Sequence, residues 1–238
     1  MSPTVVLIHG AFADASGWGG VISRLTAAGH SVLAPANPLR SVSADAAYVR
    51  SFVSTIEGPV ILVGHSYGGA VISNAAVGAD NVTALVYIAA FALEEGEAVG
   101  AATALGSEGP PPDLTQIIVV RPFPDAGEGN ADAYLDPAVF PQAFCQDLPP
   151  EEAAIMAVSQ RPAALATLGE PSGPPAWKTL PSWYLVASQD RVIPPAAERA
   201  MAARAGSTTV EIDSSHVAMI SHPDEVAALI QQAIDAVG

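Results

Sequence analysis

The stretch from Gly58 to Gly69, "GPVILVGHSYGG", constrains this chain more than any other. A run of β-branched and aliphatic residues stops at a serine set between glycines, and a helical pattern begins at once. Gly64 and Gly68 remove the Cβ atoms that would keep the backbone from closing so sharply. A turn this tight forces Ser66 into a sparsely allowed conformation and presents its hydroxyl at the carboxyl edge of a sheet. The following helix directs its positive end to the same place. A glycine-rich turn with no chemistry is the bland alternative. A nucleophilic serine needs partners elsewhere in the chain.

The rest of the chain supplies a sheet for that turn. "TVVLIH" (Thr4 to His9) predicts a buried strand. Trp18, Val21, Ile22 and Leu25 follow at helical spacing, with Gly29 as the stop. "HSVLAP" returns as a strand. Val49, Phe52, Val53 and Ile56 mark a second helix, started near Ser43 and ended by Gly58-Pro59. "PVILVG" and "VTALVYIAAF" are strands around the helix "YGGAVISNAAVGA". After Phe91 the alternation breaks. Residues 93–175 are rich in proline and glycine ("GSEGPPPD", "RPFPDAGEG", "PSGPPAW"), with one helix-like stretch at "PPEEAAIMAVSQR". They are expected to form an inserted cap, leaving 1–92 and 176–238 as the core. "PSWYLVAS", "PPAAERAMAARAG" and "STTVEI" resume it, and a last helix opens at His222-Pro223-Asp224. The expected fold is α/β: a mostly parallel six-stranded sheet with helices on both faces.

Serine is a poor nucleophile until a base takes its proton. Of the five histidines, His9 ends the first strand, His30 opens the second, and His65 lies inside the turn, facing away from the serine. His216 follows the last strand in "EIDSSHVAMI", which puts it on a loop at the carboxyl edge. His222, beside the last helix start, is the reserve. Asp190 directly follows "WYLVAS" and is favoured as the acid over Asp213, which still belongs to a strand end. "HGAF" (His9 to Phe12) ends the first strand, and the amides of Ala11 and Tyr67 are placed to meet an oxyanion. If the first and third strands are neighbours, with the second outside the first, both segments leave the sheet at a topological switch point, where ligands bind. The order Ser66, Asp190, His216 is that of an α/β-hydrolase.

Composition narrows the function classes. A net charge of −15, with Lys178 the only lysine, leaves no basic patch for a nucleic acid. No uninterrupted apolar run is long enough to span a membrane. The start lacks a signal-peptide pattern, and the single Cys145 excludes an internal disulfide, so a cytoplasmic setting is expected. Cys145, Trp177 and Trp183 are expected to be packing residues. Neither a metal-ligand motif nor a cofactor fingerprint is present, so the expected cofactor and metal content is none.

Over nearly its full length the chain resembles the α/β-hydrolase group that includes plant methylesterases, hydroxynitrile lyases and related bacterial carboxylesterases. The resemblance rests on "VVLIHGAF", "VILVGHSYGG", "YIAAF", "SQDRVIP", "SHVAMI" and the cap stretch "FCQDLPPEEAAIMAVSQRP". It implies Ser66, Asp190 and His216 as triad and Ala11 and Tyr67 as oxyanion donors. Lyase members carry threonine where this chain has Gly10 and lysine where it has Val217, so the chain sides with the esterases. Installing both residues is expected to raise lyase activity. The expectation is a serine carboxylic ester hydrolase, monomer or homodimer, acting on small apolar esters in a pocket made tight and dry by Ala11 and Tyr67. Phe12 and Phe91 are its candidate substrate contacts. Acyl transfer from the same acyl-enzyme, cyanohydrin cleavage and a non-catalytic small-ligand receptor are the alternatives.

Overall fold

The computed structural model describes residues 2–107 and 117–238. Residues 108–116, which hold most of the "GSEGPPPD" stretch of the expected cap, lie outside them. The core elements follow the expected order: β1 (Thr4–Ile8), α1 (Gly19–Ala27), β2 (Val32–Leu33), α2 (Val42–Val53), β3 (Val60–Ser66), α3 (Tyr67–Ala75) and β4 (Val82–Ala90). The segment after β4 carries α4 (Val99–Ala102), β5 (Ile118–Arg121), β6 (Asp132–Leu135), α5 (Phe140–Phe144), α6 (Pro150–Val158), β7 (Ala163–Ala164) and α7 (Ala166–Gly169). The core resumes with β8 (Ser182–Ala187), α8 (Pro195–Arg204), β9 (Thr208–Ile212), α9 (Ala218–Ser221) and α10 (Pro223–Val237).

Six strands form one parallel sheet in the order β2-β1-β3-β4-β8-β9. Strands β3 and β8 are buried along their whole length, because a strand covered on both faces has no solvent side to keep polar. Helices α1 and α10 pack on each other, and α2 packs on α3. The end of α1 shows how closely local sequence dictates local structure. Gly29 adopts φ +89°, its N–H donates to the Thr26 carbonyl, and the His30 N–H donates to Leu25. These two bonds are a Schellman motif that only a residue tolerant of positive φ can close. Helix α2 begins one residue ahead of Ser43, with the Ser41 hydroxyl accepting the Ala44 amide, and stops at Val53, short of Ile56.

The cap holds more than the single helix expected of it. Strands β5, β6 and β7 form a separate antiparallel sheet. Strands of two to four residues are too short to display a period, and this sheet is anchored by pairings remote in sequence, including the Ala164 amide on the Leu39 carbonyl.

The register of β1 on β3 sets the site. Ile8 lies opposite Gly64, so "HGAF" and the Ser66 turn leave the sheet side by side, with β2 on the far side of β1. The connections reverse direction here, so the condition for a switch point at this edge is met.

Candidate active site

Ser66 ends β3 with φ 53° and ψ −126°, a conformation outside the ordinary regions for a residue with a side chain. Such a backbone costs on the order of 1–3 kcal/mol and persists only where its surroundings impose it. Those surroundings leave no room for side chains. A Cβ on Gly64 would stand 2.6 Å from the Gly68 carbonyl oxygen, and one on Gly68 would strike the Ile8 carbonyl oxygen. The Phe91 amide, at the end of β4, fixes the turn by donating to the Ser66 carbonyl at 3.1 Å. Tyr67 then opens α3, whose first amides point away from the helix body with no carbonyl behind them.

Asp190 and His216 are brought together from loops after β8 and β9. His216 Nδ1 donates to Asp190 Oδ2 at 2.5 Å, and both side chains are fully buried. Asp190 Oδ1 accepts the Val192 and Ile193 amides at 2.6 and 2.9 Å. In the tautomer that donates Nδ1–H to Asp190, Nε2 is an acceptor, and that atom is buried without a partner among the described residues. Asp213, the other carboxylate weighed from sequence, is exposed. His222 caps α10 and bonds the Ser221 hydroxyl at 2.9 Å, and His30 bonds Gln231, so neither joins Asp190.

The turn after β1 is organised by His9. Its Nδ1 donates to the Gly10 carbonyl and its Nε2 accepts the Asn37 amide, each at 2.9 Å. Burial lowers its pKa from the ordinary value, consistent with a neutral ring that uses both nitrogens. A Cβ on Gly10 would stand 2.6 Å from Ser66 Cβ. Gly10 is therefore glycine because Ser66 occupies the space beside it, and threonine cannot enter there without displacing the turn. Ala11 is buried beside it, and Phe12 adopts φ 63°.

The structure changes the reading of two aromatic residues. Tyr67 does not offer its ring as a pocket wall: the ring is buried in the α2–α3 seam, and its hydroxyl donates to buried Asp45 at 2.8 Å. Only its backbone amide is available at the turn. Phe91 is buried, and its amide ties it to the turn. Phe12, by contrast, sets its ring edge-on to Phe144 at 6.5 Å, and Phe144 meets the His216 ring at 4.9 Å. A cap aromatic thus covers the histidine. A cavity of about 360 Å³ opens beside Phe12, between Asp14, Gly17 and Ile220 of the core and Glu152 and Met156 of α6. Cys145 and both tryptophans named from sequence are buried, and burial pushes the Cys145 thiol up to about 11.

Sequence reasoning missed two supports of the site. His65 Nε2 donates to the His216 carbonyl at 2.8 Å, and the two rings lie 4.7 Å apart. Burial, and after it the neighbouring His216, holds His65 well below the ordinary histidine value. The residue inside the turn therefore props the loop of the second histidine. Asp147 of the cap accepts the Ser215 amide from the other side. The position of His65 in the turn was visible in the sequence, but its partner lies 151 residues away.

Comparison with known proteins agrees with the geometry. The alpha/beta hydrolase nvfD of Aspergillus novofumigatus (strain IBT 16806) is 25% identical over 256 residues, covering 98% of this chain and 97% of the relative. A pyrethroid hydrolase from Sphingobium faniae JZ-2 superposes with a TM-score of 0.78 at 25% identity, covering 98% of each chain. Polyneuridine aldehyde esterase shares the fold, with a TM-score of 0.82 at 20% identity over 98% of this chain and 100% of that one. A profile of the alpha/beta hydrolase family matches residues 5–229. With almost the whole chain inside that profile, and with its parallel sheet and strained serine turn, this protein belongs to the alpha/beta hydrolase family.

Proposed function

We propose that this hydrolase cleaves carboxylic esters, small and largely apolar, through an acyl-enzyme on Ser66. The observation that carries the reading is the buried Asp190–His216 pair, 2.5 Å between Oδ2 and Nδ1, set on the same sheet edge as the strained serine. Similarity to a pyrethroid hydrolase at 25% identity supports hydrolysis as the reaction.

In this mechanism His216 Nε2 takes the Ser66 proton as Oγ attacks the ester carbonyl, and Asp190 stabilises the imidazolium that forms. The amides of Ala11 and Tyr67 receive the developing oxyanion, the second with the α3 dipole behind it. Collapse expels the alcohol with the proton from His216. Water then attacks the acyl-enzyme with His216 again as base. No metal or cofactor takes part in any of these steps.

Cyanohydrin cleavage fits the site poorly. A departing cyanide is an anion, and position 217 beside the histidine is a fully buried valine. The only lysine, Lys178, pairs with Glu94 at 2.6 Å. Acyl transfer has one observation in its favour: Ser66 is only 5% exposed and Phe144 covers His216, conditions that hinder water. The test is turnover of an aryl acetate with and without added alcohol, together with stoichiometric labelling of Ser66 by a fluorophosphonate. Ester formation from the added alcohol at the expense of acid identifies transfer. Absence of both turnover and labelling leaves a ligand-binding receptor on the same fold.

A further inference from the structure

Among the buried carboxyl groups that the mechanism leaves unused, one lies behind the acid. Glu198, in the first turn of α8, has no solvent exposure. Its Oε2 accepts the Ala187 amide at 3.0 Å, and the Ala187 carbonyl accepts the Asp190 amide at 3.1 Å, so the two acidic residues hang on one peptide residue. Oε1 is buried and meets no donor among the described residues, and Ala187 joins the Glu198 carboxyl to the turn that carries Asp190.

Two neighbouring carboxylates in a dry site do not both stay ionised. The donors around each decide which keeps the charge. Asp190 receives three: the Val192 and Ile193 amides and His216 Nδ1. Among the described residues Glu198 receives the Ala187 amide alone. The other polar groups nearby do not compensate it. Tyr184 sends its hydroxyl to the Ala90 carbonyl, and Arg199 turns outward to Glu211 with contacts of 2.6 and 2.8 Å. Burial first, and the Asp190 charge second, hold Glu198 well above the ordinary carboxyl value.

We propose that Glu198 carries a proton in the working enzyme and is a positioning residue for Asp190, its Oε1–H donating to the Asp190 carboxylate. The bond holds the acid in place toward His216 Nδ1 and spreads its charge. This assignment rests on the proposed triad, and it adds to that triad a neutral carboxylic acid that never touches the substrate.

The test compares Glu198→Gln with Glu198→Met. A glutamine keeps both bonds, its carbonyl accepting Ala187 and its amide donating to Asp190. Its kcat/KM should stay within about threefold of wild type, with the acid limb of the pH profile unmoved. Methionine keeps the volume and removes the donor. Its kcat should fall roughly tenfold. Its acid limb should rise by about half to one pH unit, because an undiluted carboxylate holds the imidazolium proton longer. A glutamine variant as impaired as the methionine variant, or unable to fold, overturns the proposal. So does a methionine variant with the wild-type limb. A second measurement stands apart from catalysis. Infrared spectra of protein labelled at glutamate carboxyl carbons should show, at neutral pH, a protonated-acid carbonyl band in wild type that Glu198→Gln lacks. No such band means that Glu198 is ionised, which overturns the proposal whether or not the protein cleaves esters.

Discussion

Asp147, in the cap, holds the loop of His216 from across the site: its Oδ2 accepts the Ser215 amide at 2.8 Å. Gln146 beside it donates to the Gln189 carbonyl at 2.6 Å, and Arg191 donates back to the Gln142 carbonyl at 3.0 Å. One short cap segment therefore ties down both the turn of the acid and the loop of the histidine. Burial works against the Asp147 charge, yet its bonds from Ser215 keep the carboxyl below its ordinary 3.8. Asp147→Ala should lower kcat roughly tenfold with little change in overall fold, since it frees a loop and leaves the core intact. Asp147→Asn, whose carbonyl still accepts the amide, should recover most of that loss. Steady-state kinetics on an aryl ester check this, and equal impairment in both variants would contradict it.

Ser66, the proposed nucleophile, carries the largest expected effect. Ser66→Ala should fold normally and lose ester hydrolysis by roughly 10³-fold or more. His216→Ala should be nearly as severe, and the double variant little worse than either, because the three residues act as a unit. His222→Ala should be mild, as its contacts are with Ser221 and the start of α10. Purified variants assayed side by side decide it. A severe His222 variant beside a mild His216 variant reverses the assignment.

The buried histidines link stability to acid. His9 and His65 both have pKa values below the ordinary 6.5 in the folded protein, owing first to burial. Between those values and 6.5 the unfolded chain binds protons that the folded chain does not. Stability contributed by the neutral rings is thus complete above pH 6.5 and declines as pH falls below it, by at most about 1.4 kcal/mol per pH unit for each group. Urea unfolding at pH 7.5 and 5.5 should show a smaller loss for His65→Asn than for wild type. Identical losses would mean that His65 takes up its proton in the fold.

Wild type should release no detectable cyanide from mandelonitrile while turning over simple aryl esters. The two-residue graft expected from sequence to install lyase chemistry meets a steric obstacle. Threonine at 10 would bring its Cβ to 2.6 Å from Ser66 Cβ, and lysine at 217 would have to occupy a fully buried valine site. Gly10→Thr should therefore lose ester hydrolysis and melt at lower temperature without gaining lyase activity. Calorimetry with paired assays on both substrates checks it, and efficient cyanide release by wild type would remove the esterase reading.

The sequence by itself determined the six core strands and the sharp turn at Ser66. It also put an acid and a histidine at the carboxyl edge and made Gly29 the end of α1. These are local matters: apolar runs, glycine where φ is positive or space is short, and residues that directly follow a strand. Only the tertiary structure decided what the side chains do there. It sent the Tyr67 ring to Asp45, made Gly10 a neighbour of Ser66, and placed Phe144 over His216. It also paired the cap strands, set His65 and Asp147 against the loop of His216, and tied Glu198 to Ala187 beside the turn of Asp190. Asp147 and Ser215 are 68 residues apart, and His65 and His216 are 151 apart. No period or spacing within either segment encodes such a meeting. It comes from the register of parallel strands and the path of the inserted cap, which bring distant segments to one dry edge where each buried polar group must find a partner.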